Sequence, residues 1–301
     1  MLSPAESVVL LTGILVACCC ALPGCFLLLR RMALLGDAIS HAILPGIALA
    51  FALTHSRNIM VMLAGALAAG LACVALIQIL GRPAGATGGG LPEDAATAVV
   101  FPAFFALGVV LIGYVARHVD LDPDCVIYGS IELAPLQELA IGSLRLGPRP
   151  LWILGAAALI NLLFVTVLYK ELKLACFDPD LAALLGFRPR ALHWLLVMLV
   201  GGTTVACFEA VGAILVVSFL VLPPATAYLL THRLTGMLVL SVSVGALAAV
   251  LGYVLAVWIN SNVAGAMGWT AGLLFVCAWV FAPKRGLAAN LVRRLRGAAE
   301  G

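Results

Sequence analysis

Asp37 and His41 are the residues in this chain whose types and spacing suit chemistry. Four positions apart on a helix, they fall about one turn from each other on a single face. A carboxylate beside an imidazole suits a divalent transition metal. An acid inside an apolar span is kept where it lines a path or a site. Ser40 offers a weak further oxygen, and Glu209 is a second acid at the end of an apolar stretch, either an interface residue or another metal contact. The chain has no HExxH pair, and His55, His118, His193 and His232 fall in or near connecting segments. A hydrolytic zinc centre holds three protein ligands, so an intramembrane metalloenzyme is disfavoured.

The elements that must position this pair are membrane spans. The chain has 301 residues, 64% hydrophobic and 10% charged, with a mean hydropathy of +1.16. Soluble domains carry about 25% charged residues. The expected fold class is therefore all-α: a polytopic membrane helical bundle of eight or nine transmembrane helices, a single transmembrane domain over 1–301. Stretches long enough to cross about 30 Å of hydrocarbon fall at 8–29, 38–54, 59–80, 95–116, 151–169, 191–208, 211–230, 236–259 and 264–282, with the 191–230 region open to another division.

Nine spans sort the basic residues thirteen to four: only Arg57, Arg117, Arg145 and Arg149 fall on the minority side. By the positive-inside rule the N-terminus is then outside and the C-terminus cytoplasmic, in a bacterial inner membrane. The first stretch lacks a basic n-region and reads as a retained span. The basic tail, 284–301, suits an anchor beside anionic lipid headgroups. Nine cysteines make no CxxC pair; those within spans act as small hydrophobes.

Between the spans, the Gly-rich 81–94 segment lacks the Lys-Ser/Thr of a phosphate cradle and reads as a linker. In the outer 117–150 segment, apolar residues at helical spacing over 126–144 suit a surface-lying or partly inserted helix, the alternative being a solvated connector. The inner 171–190 loop is better specified. Asp178 can cap a helix that Pro179 begins, and Gly186 can stop it, exposing Leu181, Leu184 and Leu185 to the membrane surface or to a partner protein. Pro223 and Pro224 should bend or open the seventh span, and Pro45-Gly46 should break the second just after His41. Two broken helices favour a transporter.

RRMALLGDAISHAILPGIALAF, FDPDLAALLG and VGAILVVSFLVLPPATAYLL, in that order, resemble the membrane subunit of manganese/zinc/iron ABC importers, over about residues 8–284. More distantly the layout is similar to vitamin B12 and siderophore permeases. The resemblance implies a homodimer around a translocation path, a cytoplasmic ATP-binding subunit, and an extracytoplasmic metal-binding protein that delivers Zn²⁺, Mn²⁺ or Fe²⁺. It implies that Phe177, Asp178, Pro179, Leu181, Leu184, Leu185 and Gly186 form the segment that docks the ATPase, and that Asp37 and His41 contact the ion. No resident cofactor and no nucleic-acid partner are expected. Alternatives are a permease for a metal chelate, which could dispense with the Asp/His pair, and a proton- or sodium-coupled carrier, which would not need the capped docking loop.

Overall fold

The computed structural model describes residues 3–32, 34–54, 59–82, 90–115, 131–136, 138–141 and 144–282. Ten helices are seen among them. They are α1 (Pro4–Leu29), α2 (Leu34–Thr54), α3 (Ile59–Leu80), α4 (Glu93–Val115), α5 (Arg149–Val167), α6 (Tyr169–Phe177), α7 (Pro179–Leu184), α8 (Pro189–Leu230), α9 (Leu234–Ile259) and α10 (Val263–Phe281). Eight helical segments among the described residues are long and apolar enough to cross a membrane, and the apolar stretch Ala64–Leu80 of α3 is shorter. The all-α membrane bundle expected from composition is what the chain forms.

Helix α1 begins with a reciprocal capping box, Ser3 with Glu6, and Pro4 sits where its missing amide costs nothing. It then runs through the centre of the bundle, against α5, α8 and α9, burying Val16, Cys20, Phe26 and Leu27. Helix α2 packs on α3, α4 and α8, while α10 packs on α8 and α9. Helix α8 thus touches both flanks. Close approach depends on glycine. A Cβ on Gly46 would strike the carbonyl of Gly65, and one on Gly65 would lie 2.6 Å from the carbonyl of Gly46. Small residues of this kind let membrane helices pack without a hydrophobic driving force.

Helix α8 has 42 residues, which as a straight rod would extend roughly 63 Å. Its two ends nevertheless lie at the same end of α1. Arg30 Nη1 is 2.9 Å from Nδ1 of His193, near the start of α8. A cleft beyond Arg31 is lined by Tyr228 and Thr231 at its finish. The reversal is at Gly212, whose φ of 78° and ψ of 171° are non-helical and strained for any residue with a side chain. One apparent helix is therefore two spans, Pro189–Phe208 and Ala210–Leu230.

This corrects where the chain breaks. Pro223 and Pro224 lie inside the second half of α8, and Pro45 inside an unbroken α2. A proline removes one helical hydrogen bond, and tertiary packing can cover the freed carbonyl. Pro224 has no amide to offer Leu220, and the α1 backbone lies against that carbonyl at Gly24, where a Cβ would collide with it.

The 117–150 segment also departs from expectation. In place of a surface helix over 126–144, the described part is a 3-10 turn, Ile131–Leu136, followed by the antiparallel pair β3 (Glu138–Ile141) and β4 (Leu144–Pro148). Ile131 and Ala134, three apart, are buried, a spacing that serves a three-residue turn as well as an α-helix. The Glu132 carboxylate accepts from the Val263 amide at 3.1 Å, capping α10. At the opposite end, β1 (Gly81–Arg82) and β2 (Leu91–Pro92) form a short parallel bridge. Residues 83–89 of the linker and the tail 283–301 lie outside the described residues.

Candidate functional site

Asp37 stands in the first turn of α2, and His41 Nε2 lies 3.5 Å from its Oδ1. The spacing expected from the sequence thus produces contact. The level is fixed by packing. A Cβ on Gly36 would run into the Leu220 side chain, while Ile43 clusters with Val205, Phe208 and Ala213. The pair therefore lies alongside the interior of the α8 hairpin.

Two rings from α4 hold the imidazole. The Phe101 centroid is 5.0 Å from that of His41, and Phe105 meets it edge-on at 5.2 Å. Such contacts restrict ring orientation and supply an apolar wall. On the other side the pair is open: the side chains of His41 and Asp37 are 32% and 42% exposed. A metal bonded to both atoms at roughly 2.1 Å would see a ligand–metal–ligand angle of roughly 110°, close to tetrahedral. The separation is compatible with both atoms contacting one ion. Among the described residues no cluster of three or more His, Cys, Asp or Glu could complete one.

The other expected contacts fall differently. Ser40 does not join the pair: it is 1% exposed and its hydroxyl donates to the Gly36 carbonyl at 2.9 Å. One step before His41 is about 100° around the helix, which turns Ser40 into the bundle. Glu209 sits in α8 three residues before Gly212, and its side chain lies outside what is described. Pro45 has no amide to bond the His41 carbonyl, four residues back. It packs against Gly108 of α4, where a Cβ would come within 2.8 Å of its Cδ.

Helix α7 has the form its sequence suggested. Asp178 accepts from the Leu181 amide at 2.9 Å and Pro179 opens the helix. Gly186, at φ +86°, closes it. Phe187 N–H donates to Ala182 and Gly186 N–H to Ala183, the paired bonds of a Schellman stop. Only Ala182 is buried; Leu184 is 84% exposed, and Leu181, Leu185 and Phe177 are exposed with it.

Sequence reasoning missed Phe101, Phe105 and Gly212. The two phenylalanines look like ordinary lipid-facing residues in FPAFF. Gly212 carried a faint signal, as a lone glycine between two apolar runs of span length.

The chain matches the ABC 3 transport family over residues 6–282. It belongs to that family. It is 40% identical over 290 residues to the manganese transport system membrane protein MntD of Bacillus subtilis (strain 168), covering 96% of both chains. To the zinc transport system membrane protein TroD of Treponema pallidum (strain Nichols) it is 41% identical, covering 93% of this chain and 74% of that one. A solved structure, PsaBC from Streptococcus pneumoniae in complex with Fab, superposes with a TM-score of 0.75 at 31% identity and 94% coverage of each chain. As a member of the ABC 3 transport family, the chain is a multi-pass membrane component of an ABC transporter.

Proposed function

We propose that the chain is the permease of an ATP-driven importer of manganese or zinc ions, and that Asp37 and His41 contact the ion in transit. The observation that carries this is the half-open Asp37–His41 pair on a membrane-spanning helix, walled by Phe101 and Phe105. An ionisable pair at that level is costly against lipid, so its open side is read as facing water and a second protomer. Two copies would present two carboxylates and two imidazoles to one path, enough to replace part of a hydrated cation's shell. Imidazole and carboxylate accept Mn²⁺, Fe²⁺ and Zn²⁺ alike, and the names of the relatives favour the first and last.

ATP hydrolysis falls to a separate cytoplasmic subunit. The capped, apolar α7 supports a docking role, because exposed leucines on a rigid helix suit burial in a groove of a partner. An extracytoplasmic metal-binding protein would deliver the ion. The positive-inside asymmetry favours an outer N-terminus and a cytoplasmic C-terminus.

The test is ATP-dependent uptake of radiolabelled Mn²⁺ and Zn²⁺ by vesicles holding the permease and its ATPase. Asp37→Ala and His41→Ala should each abolish uptake while the complex still assembles. Near-normal uptake in either variant overturns the site.

A further inference from the structure

A cleft of about 430 Å³ opens at the end of the bundle where α1 stops, α8 finishes and α9 begins. Arg31, His232 and Arg233 line it together with Thr231 and Tyr228. Leu28, Leu29, Leu234 and Met237 form an apolar wall beside them, and Cys176 and Phe177, at the edge of the segment proposed to dock the ATPase, complete the lining. Among the described residues, no carboxylate lines it. Among the described residues neither Arg31 nor Arg233 pairs with an acid. The neighbouring Arg30 is different, since its guanidinium is occupied by His193 at 2.9 Å and by the Cys176 sulfur at 3.3 Å.

The backbone adds a second observation. Arg31 has a φ of 62°. Its amide bonds Leu28 and that of Met32 bonds Leu27, which puts Arg31 at the left-handed position of a Schellman stop. That position ordinarily belongs to glycine, as Gly186 shows at the end of α7. Among the described residues the other non-glycine at positive φ is Asn260, a type that tolerates it. An arginine held there against its backbone preference points to a use for its side chain.

We propose that this cleft binds a phosphate group, specifically the headgroup of an acidic phospholipid, with the two arginines on the phosphate and the leucine wall beside the acyl chain. Arginine forks match phosphate oxygens. The cleft borders the last residue of one span and the first of another, Leu29 and Leu234, which is where headgroups lie. The same cationic groups would also take free phosphate, so the test separates the two.

The complex of permease and ATPase, stripped of lipid in detergent, is titrated with phosphatidylglycerol or phosphatidylcholine micelles and followed by native mass spectrometry. Phosphatidylglycerol is expected to remain bound and phosphatidylcholine to wash away. Arg31→Asn with Arg233→Gln should weaken retention by about tenfold or more, Asn being chosen because it accepts the backbone. Arg188→Gln with Arg190→Gln removes the same charge elsewhere and should leave retention unchanged. Arg233→Gln alone, with an intact turn, should weaken it by a smaller factor. Displacement of the lipid by excess inorganic phosphate supports the phosphate site and assigns it to the free ion; resistance to displacement assigns it to the headgroup. Equal loss in both double variants, or no loss in the cleft variants, overturns the proposal. No arm reads transport, so failure of the metal-import reading is separate.

Discussion

Two polar clusters sit within the apolar bundle, and they are finished differently. Asn161 on α5 is 1% exposed. Its amide donates to the Cys19 carbonyl and to the Thr203 hydroxyl, each at 2.9 Å, and that hydroxyl donates to the Leu199 carbonyl at 2.7 Å. The bonds close within one chain and tie α5 to α1 and α8. Asp37 and His41 meet each other at 3.5 Å and keep an open side. A polar group satisfied inside the fold acts as glue; one left open awaits something from outside. On the proposed reading, the contrast separates structural polarity from functional polarity better than residue type does.

The comparison breaks most clearly at the open pair. Asp37→Ala or His41→Ala should cut metal uptake by about a hundredfold while melting of the detergent-solubilised complex shifts little, because half-exposed side chains contribute little to packing. A large loss of thermal stability with intact uptake would reverse the assignment. Leu184→Asp tests the other open surface, the apolar one on α7. ATPase stimulation by the permease should fall to basal level with the fold unchanged by circular dichroism.

At the closed cluster the effects should invert. Asn161→Leu should cost about 1 kcal/mol of stability, read by chemical denaturation, with uptake per folded molecule retained. Gly212→Ala forces a side chain into the hairpin reversal and should cost about 1–3 kcal/mol; no stability change would mean the turn has relaxed to another conformation. Smallest of all is Ser40→Ala. Its hydroxyl bonds its own helix, so uptake should match wild type and stability should change by about 0.5 kcal/mol or less. A clear uptake defect there would bring Ser40 back as an ion contact.

Much of this was legible in the chain. The span pattern, the Asp37–His41 contact and the capped α7 follow from local rules: hydrocarbon thickness, the 3.6-residue repeat, and the chemistry of Asp, Pro and Gly at helix ends. The break points were not legible. Prolines at 45, 223 and 224 looked like bends or breaks, yet α2 and the second half of α8 stay helical through them, and at Pro224 the α1 backbone lies against the freed Leu220 carbonyl. Gly212 does break the chain, because only glycine accepts its backbone angles. The outer segment misled for a related reason. Apolar residues three apart at Ile131 and Ala134 fit two kinds of turn, and docking on α1 and α10 selected the tighter one.

By itself the sequence determined that the chain is a membrane bundle and that an acid and a histidine share one helix face, since both follow from composition and helical period. Tertiary structure decided which polar groups are sealed and which stay open. It also decided that Ser40 turns inward, that two phenylalanines from α4 frame the imidazole, and that α8 folds back on itself. Those outcomes depend on which helix lies beside which, and in an all-apolar membrane sequence the residues facing protein and lipid look the same.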